Sequence, residues 1–437
     1  MVLSEQIRNA GVVGAGGAGF PAHVKAASKV DTVIANGAEC EPLLHKDFEI
    51  MVRHAPDVVE GMRLLMGATG ARQGIIGIKE KNVAAIASIS SVAGKPGIAV
   101  HRLGDFYPSG DEYILVYEAT RRLIPPQGIP LNVGVVVNNV ETLMNIARAA
   151  KGIPVTRKWI TVAGAVRKPV TFAAPVGMTF AEAIAIAGGA AAEKYGVFVG
   201  GVMMGALEFD MQRVVTKTTG GLIVLPAEHT LVVRKSQPEK AMRRIGKSAC
   251  DQCSYCTELC PRYVLGYDVQ PHKVMRSLGF TLAGEAQWNK YAALCCACGL
   301  CTLYSCPESL FPKEACDRSK ADMKTNGEQW TGKMDVVVHP MYEGRRTPVK
   351  QLVKRLGLAP FDRHAEFVSD LAAPRRVVLP LSQHVGAPAV SLVKAGQRVN
   401  AGDCVADIRE GALGARIHAS IDGIVRSVDE SIVIEQG

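Results

Sequence analysis

Ten of the twelve cysteines fall between residues 240 and 330, and their spacing sets the first expectation. One set reads Cys250-x2-Cys253-x2-Cys256-x3-Cys260-Pro261, and the other Cys295-x2-Cys298-x2-Cys301-x4-Cys306-Pro307. Three thiolates two residues apart wrap a cuboidal [4Fe–4S] cluster on one tight loop. The fourth ligand arrives from elsewhere, in two-cluster proteins from the other set. The spacing therefore assigns Cys250, Cys253, Cys256 and Cys306 to one cluster, and Cys295, Cys298, Cys301 and Cys260 to a second. The competing reading is structural zinc, which paired CxxC motifs also hold. Zinc takes four ligands, normally as two pairs, whereas each set here has a third CxxC step and a Cys-Pro. Cys296 breaks the step and is unassigned, while Cys40, Cys316 and Cys404 read as small buried hydrophobes.

A second constellation lies near the start, where GVVGAGGAGFPAHVK occupies residues 11–25. Gly14, Gly16, Gly17 and Gly19 satisfy GxGxxG ahead of a helical pattern, so backbone N–H groups can approach a phosphate. No clear strand precedes the motif, and a structural turn explains it equally well. Three companions add polar groups at strand ends. ANGAECEPLLHKD (35–47) carries Asn36, Glu39 and Glu41; YPSGDEYIL (107–115) carries Gly110, Asp111 and Glu112; GVVVNNVETL (134–143) carries Asn138 and Asn139. Amides and carboxylates at the carboxyl edge of a sheet suit a ring system and ribose hydroxyls. Read plainly, the asparagines are helix caps and the glutamates surface carboxylates.

The elements that must position these groups follow from length and pattern. A chain of 437 residues suggests about two to four domains. Strand-like runs at 32–35, 74–78 and 133–137 alternate with helical patterns at 20–28, 55–66 and 141–150, which predicts a layered α/β core over 1–150. Residues 151–238 turn to short strands around one helix at 179–187, a small α+β module. The cysteine domain spans 239–330, and its stretch 264–294 reads helical. A Pro-rich, charged linker is expected at 331–376, and Gly- and Asp-punctuated strands at 377–437 predict a compact all-β module. The fold class is thus multidomain, α/β plus α+β, with a helical two-cluster domain and an all-β end.

Composition excludes some classes. The net charge of +9 suits anionic ligands or an acidic partner protein. It never forms a block interleaved with aromatics, so nucleic acid is not expected; a short Arg243, Arg244, Lys247 cluster reads as a solvated face. Neither a secretory signal nor an apolar run long enough for a membrane span is visible. A reducing compartment suits the cysteines as ligands. The amphipathic start (Leu3, Ile7, Ala10) reads as a helix entering the glycine loop, with an encapsulation tag as the other reading.

The four N-terminal motifs strongly resemble the flavin-binding core shared by the NADH-oxidising subunit of respiratory complex I and the C subunit of the Rnf complex. That resemblance implies a Rossmann-like core binding FMN through Gly14, Gly16, Gly17, Gly19, Lys25, Asn36, Glu39, Tyr107, Gly110, Asp111, Asn138 and Asn139. It places NADH against an aromatic matching Phe20 and acids matching Glu41 and Glu112. Ala38 stands where the complex I subunit has an aspartate, which implies that one polar interaction with the flavin is missing or replaced. Residues 159–225 resemble the soluble-ligand-binding β-grasp domain, often associated with cobalamin. PLSQHVGAPAVSLVKAGQRVNAGDCV resembles the barrel-sandwich domain of Rnf C subunits. The turn EGALGARIHAS lacks the lysine of lipoyl carriers, which makes docking the better reading, and His384 reads as a structural histidine.

The order of modules resembles the cobalamin reductases of propanediol-utilising bacterial microcompartments. It implies an enzyme carrying two [4Fe–4S] clusters and FMN, with NADH as donor and cobalamin as one-electron acceptor, reduced towards Co(I). The implied partners are a corrinoid adenosyltransferase and microcompartment shell proteins or enzymes, in the cytoplasm within a microcompartment lumen. Two other readings compete: a membrane-docked electron-input protein like Rnf C with a different acceptor, and a non-enzymatic cluster-bearing scaffold.

Overall fold

The computed structural model describes residues 2–94, 97–280, 288–369 and 371–437. The N-terminal core contains α1 (Leu3–Asn9), α2 (Ala22–Ala26), β1 (Thr32–Gly37), α3 (Lys46–Arg53) and α4 (Ala55–Thr69). It continues with β2 (Gln73–Lys79), α5 (Val83–Ala93), β3 (Ile98–Leu103), β4 (Phe106–Tyr107), α6 (Glu112–Thr120), β5 (Val135–Asn139) and α7 (Val140–Ala150). Four strands form a parallel sheet in the order β3-β2-β1-β5. The inner strands β1 and β2, with β5, carry apolar runs because both faces are covered, whereas the edge strand β3 keeps His101 and Arg102. Val33, Ala35, Ile76, Ile78 and Val136 pack with α4 and α7, and Ile34, Ile75, Val135 and Val137 pack with Leu115 and Val116 of α6. Ile7 of α1 is fully buried in the first of these clusters, so the amphipathic start is a core helix leading into the glycine loop.

Helices α4 and α7 cross closely at Gly61, where an added Cβ would lie 1.9 Å from the Leu143 carbonyl oxygen. A Gly61→Ala variant is therefore expected to lose about 1–3 kcal/mol, the usual cost of overpacking a core. The denaturant midpoint reads this loss; an unshifted midpoint would contradict the close crossing.

The next module is a mixed sheet built from β6 (Arg157–Gly164), β7 (Val170–Pro175), β8 (Tyr195–Val199), β9 (Ala206–Glu208) and β10 (Gly221–Pro226). Its helix α8 (Phe180–Ile186) starts with a reciprocal capping box between Thr179 and Glu182. In the cysteine region the stretch 264–294 is not one helix. Helix Pro261–Val264 stops before Gly266, which has a φ of +106°, and a new helix, Pro271–Ser277, begins on its proline. Residues 281–287 of that expectation lie outside the described residues.

Residues 331–376 join the modules while packing against them. Thr347–Pro348 pairs with β4, helix Val349–Arg355 enters the core shared by the second module and the second cysteine loop, and Glu366–Phe367 extends the mixed sheet beside β7. Phe367 stacks on Trp159 at 5.2 Å between centroids. The C-terminal module is two facing antiparallel sheets, one of four strands and one of three. Val377, Val405, Ile417, Val425 and Ile432 fill the space between them. Val176 of the second module belongs to the same apolar cluster. Among the described residues no helix is long and apolar enough to cross a membrane.

Candidate functional site

The parallel register sets Ala35 beside Asn138 and Asn36 beside Asn139, so three amide side chains reach the carboxyl edge of the sheet together. A cavity of about 370 Å³ opens there. Gly14, Gly16, Gly17, Phe20, Lys25, Asn36, Glu39, Glu41, Gly110, Asp111, Glu112, Asn138 and Asn139 all line it. Two expected residues do not. Gly19 lies under Thr218 and His384, and its carbonyl accepts from the Val385 N–H at 3.2 Å, so it anchors the C-terminal module. Tyr107 is 1% exposed and donates its hydroxyl to the Cys298 carbonyl at 2.7 Å, beneath the cavity. Ala38 is also absent from the lining; it is buried against Gly110.

The glycine loop closes on itself through Gly14 N–H to the Phe20 carbonyl, 2.8 Å, and Gly19 N–H to the Gly14 carbonyl, 3.2 Å. Gly17, at a φ of +116°, has nothing within 4 Å of its Cβ position, which leaves that side of the loop open. The helix that follows has only five residues, Ala22–Ala26, shorter than the pattern suggested. The glycine loop rather than a long helix therefore lines the cavity. The Asn138 side-chain nitrogen is buried without a partner, a donor aimed at something the chain does not supply. Asn139 is committed: it caps α7 through Glu141 N–H and donates to Asp47 at 2.8 Å. The cap reading of Asn139 thus holds alongside its place in the lining.

The carboxylates are held firmly. Glu39 accepts from the Asp47 and Phe48 N–H groups at 2.8 and 3.1 Å, and burial, with Asp47 adding, pushes its pKa up to about 7. Glu41 accepts from Met203 and Met204 N–H at 3.0 and 2.9 Å, tying the cavity to a turn of the second module. Burial raises its pKa to about 7 as well. Because folding raises this pKa, the folded protein holds the proton more tightly than the unfolded chain. The stability from the protonated carboxyl is complete below about pH 4.5 and is lost as pH rises to about 7. Melting temperatures are expected to fall across that window, and Glu41→Gln should flatten the slope; equal slopes would contradict a buried, proton-binding Glu41.

Below the glycine loop lies a charge network that motif reading missed. Glu141, with no exposure, accepts from Lys158, from Lys46 at 3.2 Å and from the Trp159 N–H at 3.0 Å. Lys158 also donates to the Ala15 carbonyl at 2.9 Å, so β6 grips the glycine loop directly. Burial lowers the Lys158 pKa to about 8 despite Glu141 beside it.

The two cysteine sets occupy different surroundings. Cys296 and Cys298 line the cavity at the sheet edge, and Cys40 joins them there. Cys295 packs in the same apolar cluster as Cys260. Arg262, two residues past Cys260, pairs with Asp111 at 2.8 Å and lies 3.5 Å over the Tyr113 ring. Cys250, Cys253, Cys256 and Cys306 instead line one small cavity away from the cleft, and Cys253 is exposed. The extra residue before Cys306 is taken up by a five-residue π-helical turn, Cys301–Ser305. Gln252 donates to the Cys250 sulfur at 3.1 Å and Leu310 N–H to the Cys306 sulfur at 3.3 Å. Burial pushes the Cys256 thiol up to about 12, and it holds Cys301 well above the usual range. A hydrogen bond that the Cys298 thiol donates to Cys296, with burial, does the same to Cys298. Thiolates at these positions need a metal's charge to offset burial. Among the described residues no three His, Cys, Asp or Glu gather closely enough for a single ion.

Cys316 is fully buried and hydrogen-bonded to Cys295, and Cys404 is half-buried in the C-terminal module. His384 bonds to Ala415 N–H at 3.1 Å and is structural.

Comparison with known families agrees with this layout. Residues 7–148 match the Nuo51 FMN-binding domain, 159–207 the SLBB domain, 249–311 a 4Fe-4S dicluster domain and 362–437 the RnfC barrel sandwich hybrid domain. An FMN-binding domain joined to an iron–sulfur domain defines the chain as an oxidoreductase. Over 432 residues it is 43% identical to the cobalamin reductase PduS of Salmonella typhimurium, covering 99% of this chain and 95% of that one. The corresponding protein of Citrobacter freundii is 42% identical, with 100% and 96% covered. The chain belongs to this PduS cobalamin reductase family. The C subunit of the Na(+)-translocating ferredoxin:NAD(+) oxidoreductase complex of Acetobacterium woodii is 35% identical over 59% of this chain and 57% of its own length. In fold, the chain is similar to an air-oxidized NAD+-reducing [NiFe]-hydrogenase, with a TM-score of 0.50 and 20% identity over 80% of this chain and 66% of that one.

Proposed function

We propose that the chain takes electrons from NADH and delivers them singly to cobalamin. The observation that carries this reading is the shared cavity: the glycine loop, the unpartnered Asn138 amide, Cys298 of the second set and its neighbour Cys296 line one space. Gly14, Gly16 and Gly17 would hold the FMN phosphate and ribityl chain; Asn36, Asn138, Glu39 and Gly110 would border its ring. Gly19 and Tyr107 would act from behind, as anchors of the loop and of the Cys298 backbone. Bound there, FMN would supply the exchange between hydride and single-electron chemistry. Phe20, Glu41 and Glu112, which line the same cavity, would be the residues for the dinucleotide.

Cys260, Cys295, Cys298 and Cys301 would hold a [4Fe–4S] cluster beside the cavity, and Cys250, Cys253, Cys256 and Cys306 a second one near solvent. The chain's own work is spatial: it fixes one acceptor against the flavin cleft and the other at an exposed thiol. Cobalamin reduced towards Co(I) for a corrinoid adenosyltransferase, inside a propanediol-utilisation microcompartment in the cytoplasm, is the setting that the family supports. The β-grasp module, whose Met203–Met204 backbone holds Glu41, would act as a positioning module whether or not it binds cobalamin itself.

An electron-input protein like Rnf C, with another acceptor, is the second reading. The coverage favours the first, since Rnf relatives match about three-fifths of the chain. Anaerobic assay with NADH and hydroxocobalamin, trapping Co(I) with an adenosyltransferase, tests the proposal. Adenosylcobalamin formation is expected; flavin bleaching by NADH with no cobalamin product would overturn the acceptor assignment.

A further inference from the structure

Cys298 of the second set lines the cleft, and on the route proposed above electrons leave through the first set, whose Cys253 is exposed. Helix Glu239–Ala249 runs directly into Cys250. Its Gly246 is buried, facing Met275, which lines the first-set cavity. At about 100° per residue, Lys240, Arg244 and Lys247 fall together on the opposite, outward face, and all three are exposed. Lys247 is one turn from Cys250 and Lys240 is about 15 Å away along the axis, at 1.5 Å per residue. Arg276, exposed on the neighbouring helix Pro271–Ser277, adds a fourth cation. Among the described residues Asp251 and Glu308 are exposed acids on the same rim, and Glu239 at the start of the helix is paired with Arg318 at 2.8 Å, so the four cations outnumber the acids. Tyr255, two residues past Cys253, and Ile245 on the helix that leads into Cys250 add exposed apolar surface, at 55% and 40%.

An exposed redox ligand with a small apolar centre and a cationic border has the make-up of a transient electron-transfer contact. We infer that this face docks an acidic one-electron acceptor protein, which receives the electron at the first cysteine set. The inference rests on the electron route proposed above. One electron leaves the reduced cluster and one reduces the carrier, and no bond forms or breaks. The charges would act before contact, by steering encounter over roughly a Debye length of 8–10 Å.

Oxidised flavodoxin serves as the acidic probe and cytochrome c as a basic one, with free hydroxocobalamin as a control. The variant reverses three exposed charges, Lys240→Glu, Arg244→Glu and Lys247→Glu, none in the redox machinery. At low salt the rate to flavodoxin should fall by about tenfold or more, its decline with added salt should flatten, and the rate to cytochrome c should rise. Flavodoxin binding to the oxidised protein, read by calorimetry, should weaken in parallel. Unchanged flavodoxin rate and binding in the variant would overturn the docking face. So would a wild-type enzyme that reduces hydroxocobalamin but not flavodoxin, which leaves the function standing. If hydroxocobalamin reduction alone fails while flavodoxin reduction stays charge-dependent, the docking face survives and the cobalamin assignment falls.

Discussion

A Cys298→Ala variant is expected to keep NADH-bleachable flavin yet lose cobalamin reduction by more than about 100-fold, beyond the usual effect of losing even an outer-shell partner at a metal site. Cys298 lines the same cavity as the glycine loop, and the Tyr107 hydroxyl fixes its carbonyl. On the proposed route the cluster it would hold would be the first stop after the flavin. Without that cluster the remaining one, at Cys250, Cys253, Cys256 and Cys306, has no near donor. Iron content should drop to about four per chain, and NADH should produce no paramagnetic cluster signal, while dithionite still does. Cys253→Ala gives the complementary pattern: NADH reduces the surviving inner cluster, and transfer to outside acceptors slows. Identical behaviour of the two variants would contradict the ordering of the sets.

The second large effect is expected at Glu141. It is fully buried and compensates two lysines, Lys46 and Lys158, that belong to different modules. Glu141→Ala leaves the buried Lys158 with the Ala15 carbonyl and the more distant charge of Asp47, and breaking such a pair typically costs about 3–5 kcal/mol. Lys46 keeps Asp47, so the damage falls on the contact between β6 and the glycine loop. Flavin should therefore be lost at lower temperature than the wild type loses it, before the C-terminal module melts. Lys158→Met, which removes the stranded charge but leaves Glu141 with Lys46, should cost less. A Glu141→Ala protein that retains flavin normally would show the network to be dispensable.

Much of this layout is legible in the sequence, for reasons that differ by element. The cysteine steps are readable because cluster geometry fixes spacing locally, within about three to five residues. The sheet edge is readable because apolar strand runs end in Asn36 and in Asn138–Asn139, so polarity changes where the sheet stops. Long-range contacts leave no such trace. Nothing in the spacing shows that Cys296 and Cys298 face the glycine loop, or that Tyr107 reaches Cys298 across 191 residues of chain. Helix α3 escapes sequence reading because Lys46, Asp47 and Glu49 look like surface residues, yet all three are buried through Glu39, Glu141 and Asn139 or through Arg53. Residues 331–376 read as a connector by composition. Their two short strands and a helix reveal their role only through pairing with β4 and β7. The C-terminal module reads as a docking unit, and its place against Gly19 shows that it also braces the glycine loop.

The most direct test of the relay is an oxygen-free NADH titration of the purified protein, with flavin absorbance and cluster paramagnetism followed together. About eight iron atoms per chain are expected, with flavin bleaching first, then one cluster signal and a second that interacts with it. A protein with flavin bleached by NADH but clusters reduced only by dithionite, or with zinc in place of iron, would contradict the relay.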